Sequence, residues 1–226
     1  MCLVPLLLIC YLTLFTAPTH HSLILGDSIT KSLSPRRTVV ITRSGATPSK
    51  ILEYISWFPE VLLEHKVIVL HIGTNWLGQK NEWAFYLQKV KGDLSEEDYS
   101  REITKLSPPL ANGSEKKFKA TFEEIIHYIR AKNPQAKVLI SAIIPRPWDH
   151  SRRNQVRILY NNILKSLADG RQILFIETYR PFFDGNGNLK CNLFSWDGLH
   201  LSSSGSMVLK TFLCDKIDRA IKNLLV

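Results

Sequence analysis

A chain of 226 residues with 45% hydrophobic content has enough apolar material for one domain with a sizeable core, and that content argues against disorder. Its 29 Lys and Arg against 20 Asp and Glu leave a formal charge of +9, a basis for weak attraction to anionic partners, nucleic acid included. The clusters Arg36-Arg37, Lys116-Lys117-x-Lys119 and Arg152-Arg153 read as solvated faces, and no zinc-finger spacing, Gly-rich phosphate loop or aromatic RNA-binding signature accompanies them.

Residues 1–19 contain the apolar run Leu3 to Phe15, which has the length of a signal-peptide core rather than of a membrane span. No Lys or Arg precedes the run, and Pro18 after Ala17 disfavours cleavage there. Two readings stay open: a signal peptide, with secretion, or a disordered N-terminal segment of a cytoplasmic protein. Cys191 and Cys214, the two cysteines outside this segment, permit a disulfide without implying one. Residues 20–226 are expected to form the domain.

Five apolar, β-branched runs predict strands over 23–25, 38–42, 67–72, 137–144 and 172–176. Such near-continuous runs, buried on both faces, suit a parallel sheet. Thr47-Pro48 reads as an N-cap with Pro at the first helical position, leading into Ile51, Leu52, Tyr54 and Ile55. Phe118, Phe122, Ile125, Ile126 and Ile129 share one helical face, as do Val208, Leu209, Phe212, Leu213, Ile217 and Ile221. Alternation of strands and helices predicts a three-layer α/β/α domain whose ligands bind beyond the carboxyl ends of the strands. Residues 76–115 are less regular, with Lys91-Gly92-Asp93, Pro108-Pro109 and the sequon Asn112-Gly113-Ser114, and read as an insertion that either roofs the site or runs plainly over the surface.

Gly26-Asp27-Ser28 closes the first strand. A strand ending in Gly, Asp and Ser is also an ordinary turn with an asx-type hydrogen bond, so the tripeptide alone is weak evidence. Asp197-Gly198-Leu199-His200 places a carboxylate three residues before an imidazole, and a short loop could point Asp197 at one ring nitrogen while the other faces Ser28. A serine hydroxyl needs such an oriented base to act as a nucleophile. Acyl transfer also needs donors for the oxyanion, and the N–H groups of Ser28 and Gly45 with the Asn75 side chain could supply three. Taken singly, Asp197 reads as a turn cap, His200 as a surface histidine, Gly45 as a turn glycine and Asn75 as a helix cap.

Their joint occurrence is specific. With Gly26-Asp27-Ser28, Gly45, Gly73-Thr74-Asn75 and Asp197-x-x-His200 in order, the chain resembles a GDSL-type esterase of the SGNH hydrolase superfamily over residues 22–205. Trp76 stands where that family usually has Asp, a departure that touches loop anchoring rather than the oxyanion donor. Ile143 to Pro147 and Thr178 to Phe183 are similar to esterase domains in the first open reading frame of some LINE-type retrotransposons and their animal relatives. The resemblance implies a flavodoxin-like sandwich of about five parallel strands, hydrolysis of carboxylic esters without metal or cofactor, a Ser28-His200-Asp197 triad, and an oxyanion hole of Ser28, Gly45 and Asn75. The substrate would be a small-molecule, lipid or glycan ester. A non-catalytic module on the same fold, engaging an acyl, glycan or nucleic-acid ligand, is the alternative. His71 reads as a core or near-site packing residue, while Trp76 and Trp196 flank the presumed cleft as structural aromatics or acyl-pocket lining.

Overall fold

The computed structural model describes residues 21–77, 88–89, 91–105, 114–147 and 151–224. The N-terminal segment 1–19, the sequon asparagine and much of the predicted insertion lie outside the described residues. Five strands form one parallel sheet: β1 Ser22–Gly26, β2 Thr38–Thr42, β3 Val67–His71, β4 Lys137–Ser141 and β5 Ile173–Ile176. Their order is β2-β1-β3-β4-β5. The chain steps outward from β1 to β2 and then crosses back to β3 on the other side of β1. This reversal leaves a crevice beyond the carboxyl ends of β1 and β3, where ligands of such sheets bind.

Side-chain alternation sorts the core into two layers. Leu23, Leu25, Ile68, Leu70, Val138 and Ile140 face one way, against α1 Pro48–Trp57, α4 Ser114–Lys132 and α5 Ser151–Ser166. Ile24, Val67, Val69 and Leu139 face the other way, against Leu209, Leu213 and Ile217 of α6 Ser203–Lys222. Two short helices, α2 Thr74–Leu77 and α3 Glu96–Lys105, fall between β3 and α4. The three-layer α/β/α arrangement is therefore as the periodicity predicts, and the three strands β1, β3 and β4 are wholly buried. Thr47 does occupy the N-cap position of α1 with extended backbone, but its side chain makes no capping hydrogen bond.

The fourth strand is shorter than its apolar run. It ends at Ser141 rather than Ile144, because the next peptide groups find other partners. Ala142 N–H still reaches Ile176 O at 2.9 Å, but the Ile143 N–H donates to Asn161 Oδ1 at 2.7 Å, and Asn161 Nδ2 donates back to Ile143 O at 3.1 Å. A side-chain amide on α5 thus replaces the next strand. Asn133 does related work at the far end of α4, donating to Leu62 O and His65 O at 2.7 and 2.9 Å. Because both Ile143 bonds are buried, Asn161→Ala leaves one donor and one acceptor unpaired and should destabilise the fold by roughly 2–4 kcal/mol in urea denaturation. A loss within the error of the measurement would mean that this loop is held by something else.

Candidate active site

The first strand ends in a compressed turn. Asp27 caps the 3₁₀ turn Ser28–Thr30: its Oδ1 accepts Ile29 N–H at 3.0 Å, and its carbonyl accepts Thr30 N–H at 3.1 Å and the Thr30 hydroxyl at 3.0 Å. The asx-type bond and the projecting serine are parts of one turn. Glycine is needed at 26 because a Cβ there would lie 2.0 Å from Thr30 Oγ1. The turn buries Ile29 and Thr30 and leaves Ser28 half-buried beyond the sheet.

His200 is fixed by a second turn just ahead of α6. Ser202 caps that helix, accepting Gly205 N–H at 3.1 Å, and Leu201 bridges to Phe194. Asp197 Oδ1 accepts the Leu199 and His200 N–H groups, each at 3.0 Å, which aims Oδ2 at the ring. The Oδ2 to His200 Nδ1 distance is 2.6 Å, and Nε2 lies 3.1 Å from Ser28 Oγ. A carboxylate only accepts, so Nδ1 carries the ring proton and Nε2 is left to accept from the Ser28 hydroxyl. Burial alone would raise the Asp197 carboxyl, but hydrogen bonds from the His200 ring and the Leu199 and His200 amides outweigh it and hold the group below the usual carboxylate range. Asp197 is therefore an anion at neutral pH.

The other two predicted residues border the same crevice. Gly45 follows β2 at φ +68, a conformation that favours glycine, with open space where a side chain would project. Asn75 Nδ2 donates to Ala46 O at 3.1 Å, tying the loop after β3 to the loop after β2. One N–H of that amide is spent on the tie and the second remains. The backbone N–H groups of Ser28 and Gly45 make no hydrogen bond among the described residues. The arrangement offers a hydroxyl, a base, an orienting anion and candidate N–H donors.

Trp76 is partly buried and packs against the core. Its ring packs 5.5 Å from Phe118, and its Nε1–H points to Tyr160 Oη at 3.4 Å. Trp196, by contrast, is 69% exposed beside Asp197. Cys191 and Cys214 are free thiols. No cluster of His, Cys, Asp or Glu among the described residues is arranged to hold a metal ion, and no described helix is long and apolar enough to cross a membrane.

Residues 23–208 match the profile of the GDSL-like lipase/acylhydrolase family. The chain belongs to this family. It is accordingly a carboxylic ester hydrolase. Solved structures agree on the fold. A GDSL-like lipase from Bacteroides thetaiotaomicron superposes with a TM-score of 0.58 at 16% identity, covering 89% of each chain. A lipase from a goat rumen metagenome gives 0.59 at 19%, over 85% of this chain and 94% of that one. A catalytic mutant of an acetylxylan esterase from Geobacillus stearothermophilus gives 0.57 at 15%, over 87% and 93%. No curated protein matches the chain in sequence.

Two titratable groups near this crevice are buried, His71 as the core residue that the sequence suggested and Asp27 inside its own turn. His71 sits at the end of β3, with Nδ1 2.5 Å from Ser141 Oγ, which in turn lies 2.8 Å from Thr178 Oγ1. Burial pushes its pKa down to about 4. Burial pushes the Asp27 carboxyl up to about 7, against the opposing pull of the Ile29 N–H and of a positive charge on His200. The two act oppositely on folding. Neutral His71 contributes stability above about 6.5 that is lost as pH falls through about 4, whereas neutral Asp27 contributes stability below about 3.8 that is lost as pH rises through about 7. Hence the stability gap between the wild type and His71→Gln should move in the variant's favour as pH drops from about 7 to about 4.5, read by urea titration. A gap independent of pH would show that His71 does not fold in its neutral form.

Proposed function

We propose that the hydrolysis runs through an acyl-serine intermediate formed on Ser28. The observation that carries this reading is the His200 ring, held between Asp197 Oδ2 at 2.6 Å and Ser28 Oγ at 3.1 Å. His200 Nε2 takes the Ser28 proton as Oγ attacks the ester carbonyl, and Asp197 orients the imidazole and stabilises its charged form. The N–H groups of Ser28 and Gly45 and the Asn75 amide receive the negative charge on the carbonyl oxygen. His200 then hands its proton to the leaving alcohol. In the second half, water gives a proton to the same nitrogen and attacks the acyl carbonyl, and His200 returns that proton to Ser28 Oγ as the acyl–oxygen bond breaks and frees the acid.

The substrate class is a carboxylic ester, with short acyl, O-acetyl and lipid esters as its candidate members. The lipase and acetylxylan esterase among the structural neighbours keep both kinds in play. Turnover of p-nitrophenyl esters of increasing chain length ranks them. Ser28→Ala should lower kcat/KM on the order of 10⁴-fold or more, while Asn75→Ala should lower kcat by about 10²–10³-fold with KM little changed. Labelling of the wild type by a fluorophosphonate, mapped to the Ser28 peptide, reports the nucleophile directly. Undiminished turnover by Ser28→Ala would sink the assignment, and ligand binding with neither turnover nor labelling would point to a binding module instead.

A further inference from the structure

Asp27 is a carboxyl group that the chemistry described above does not use. It is wholly buried, one residue before the nucleophile. Its Oδ1 holds the Ile29 N–H, while Oδ2 is buried with no hydrogen-bond partner among the described residues. An anion placed there would have one oxygen stripped of water and given no donor in return, so the cavity favours the neutral acid. Among the described residues, the charge that acts on it is the one His200 acquires. His71, which occupies the register position of Gly26 on the neighbouring strand, is neutral down to about 4 and supplies none.

Resting on the roles assigned to Ser28 and His200, we infer that Asp27 is a positioning residue whose protonation state sets the charge environment of the catalytic histidine. As the neutral acid it only shapes the turn. As the anion it supports the imidazolium alongside Asp197, strengthening the base that deprotonates Ser28. The pKa near 7 puts this change within the working range of an esterase.

The variant that separates charge from shape is Asp27→Asn, which keeps the Oδ1 acceptor for Ile29 N–H and can never ionise. The wild type should show two coupled ionisations in kcat/KM against pH, and the variant one. At pH about 8.5 the variant should fall about three- to tenfold below the wild type, a gap that closes below about pH 6. A residue with only a structural role would lower activity equally at every pH, and that outcome, or a profile identical to the wild type, overturns the inference. Carbon-13 NMR of the wild-type Asp27 carboxyl gives an answer even if the variant fails to fold. A midpoint near 7 supports the inference, and one in the ordinary carboxylate range overturns it. Fluorophosphonate labelling of wild-type Ser28 keeps the two readings apart: its loss strikes the nucleophile assignment, whereas labelling together with an unaltered variant profile strikes only the role of Asp27.

Discussion

The hydrogen bond between His200 and Ser28 joins residues 172 positions apart, and the rest of the site depends on it. Neither end could be held by its own loop. Ser28 stays in place because β1 is paired on both sides and buried along its whole length, so the turn after it has a rigid base. His200 stays in place because α6 is pinned to the opposite face of the same sheet through Leu209, Leu213 and Ile217. Two hydrophobic layers on opposite faces of the sheet therefore set the distance of 3.1 Å between the two side chains.

How much of this was legible in the sequence follows from the range of the forces involved. The strands and the faces of α4 and α6 were legible because burial imposes a period on neighbouring residues. Most of the candidate site blocks were legible because they are compressed into three or four consecutive positions, as in Gly26-Asp27-Ser28 and Asp197-x-x-His200, and Gly45 was legible only by its place among them. The early end of β4 was not, because the amide that replaces the next strand comes from Asn161, 18 residues on and on a different element. The fate of Trp76 was hidden for the same reason: its partners Phe118 and Tyr160 reach it from two helices far along the chain. Nothing local distinguishes a core tryptophan from a cleft tryptophan.

Asp27 shows where a local reading and a functional one coincide. The asx-type bond to Ile29 is what any turn-forming aspartate would make, and it also points the serine out of the sheet. What the tripeptide could not reveal is the complete burial of the second oxygen, which depends on packing contributed by the whole domain. A residue chosen for its turn chemistry thereby acquires an unusual electrostatic setting.

The openness of His200 carries a kinetic consequence. Its side chain is 42% exposed, in contrast to the 12% of the Asp197 side chain that orients it. Under the proposed chemistry, the side chain that activates the acceptor of the acyl group is open to solvent. Small alcohols and amines then compete with water as acceptors. The partition between hydrolysis and acyl transfer then follows the relative concentration and nucleophilicity of the acceptors.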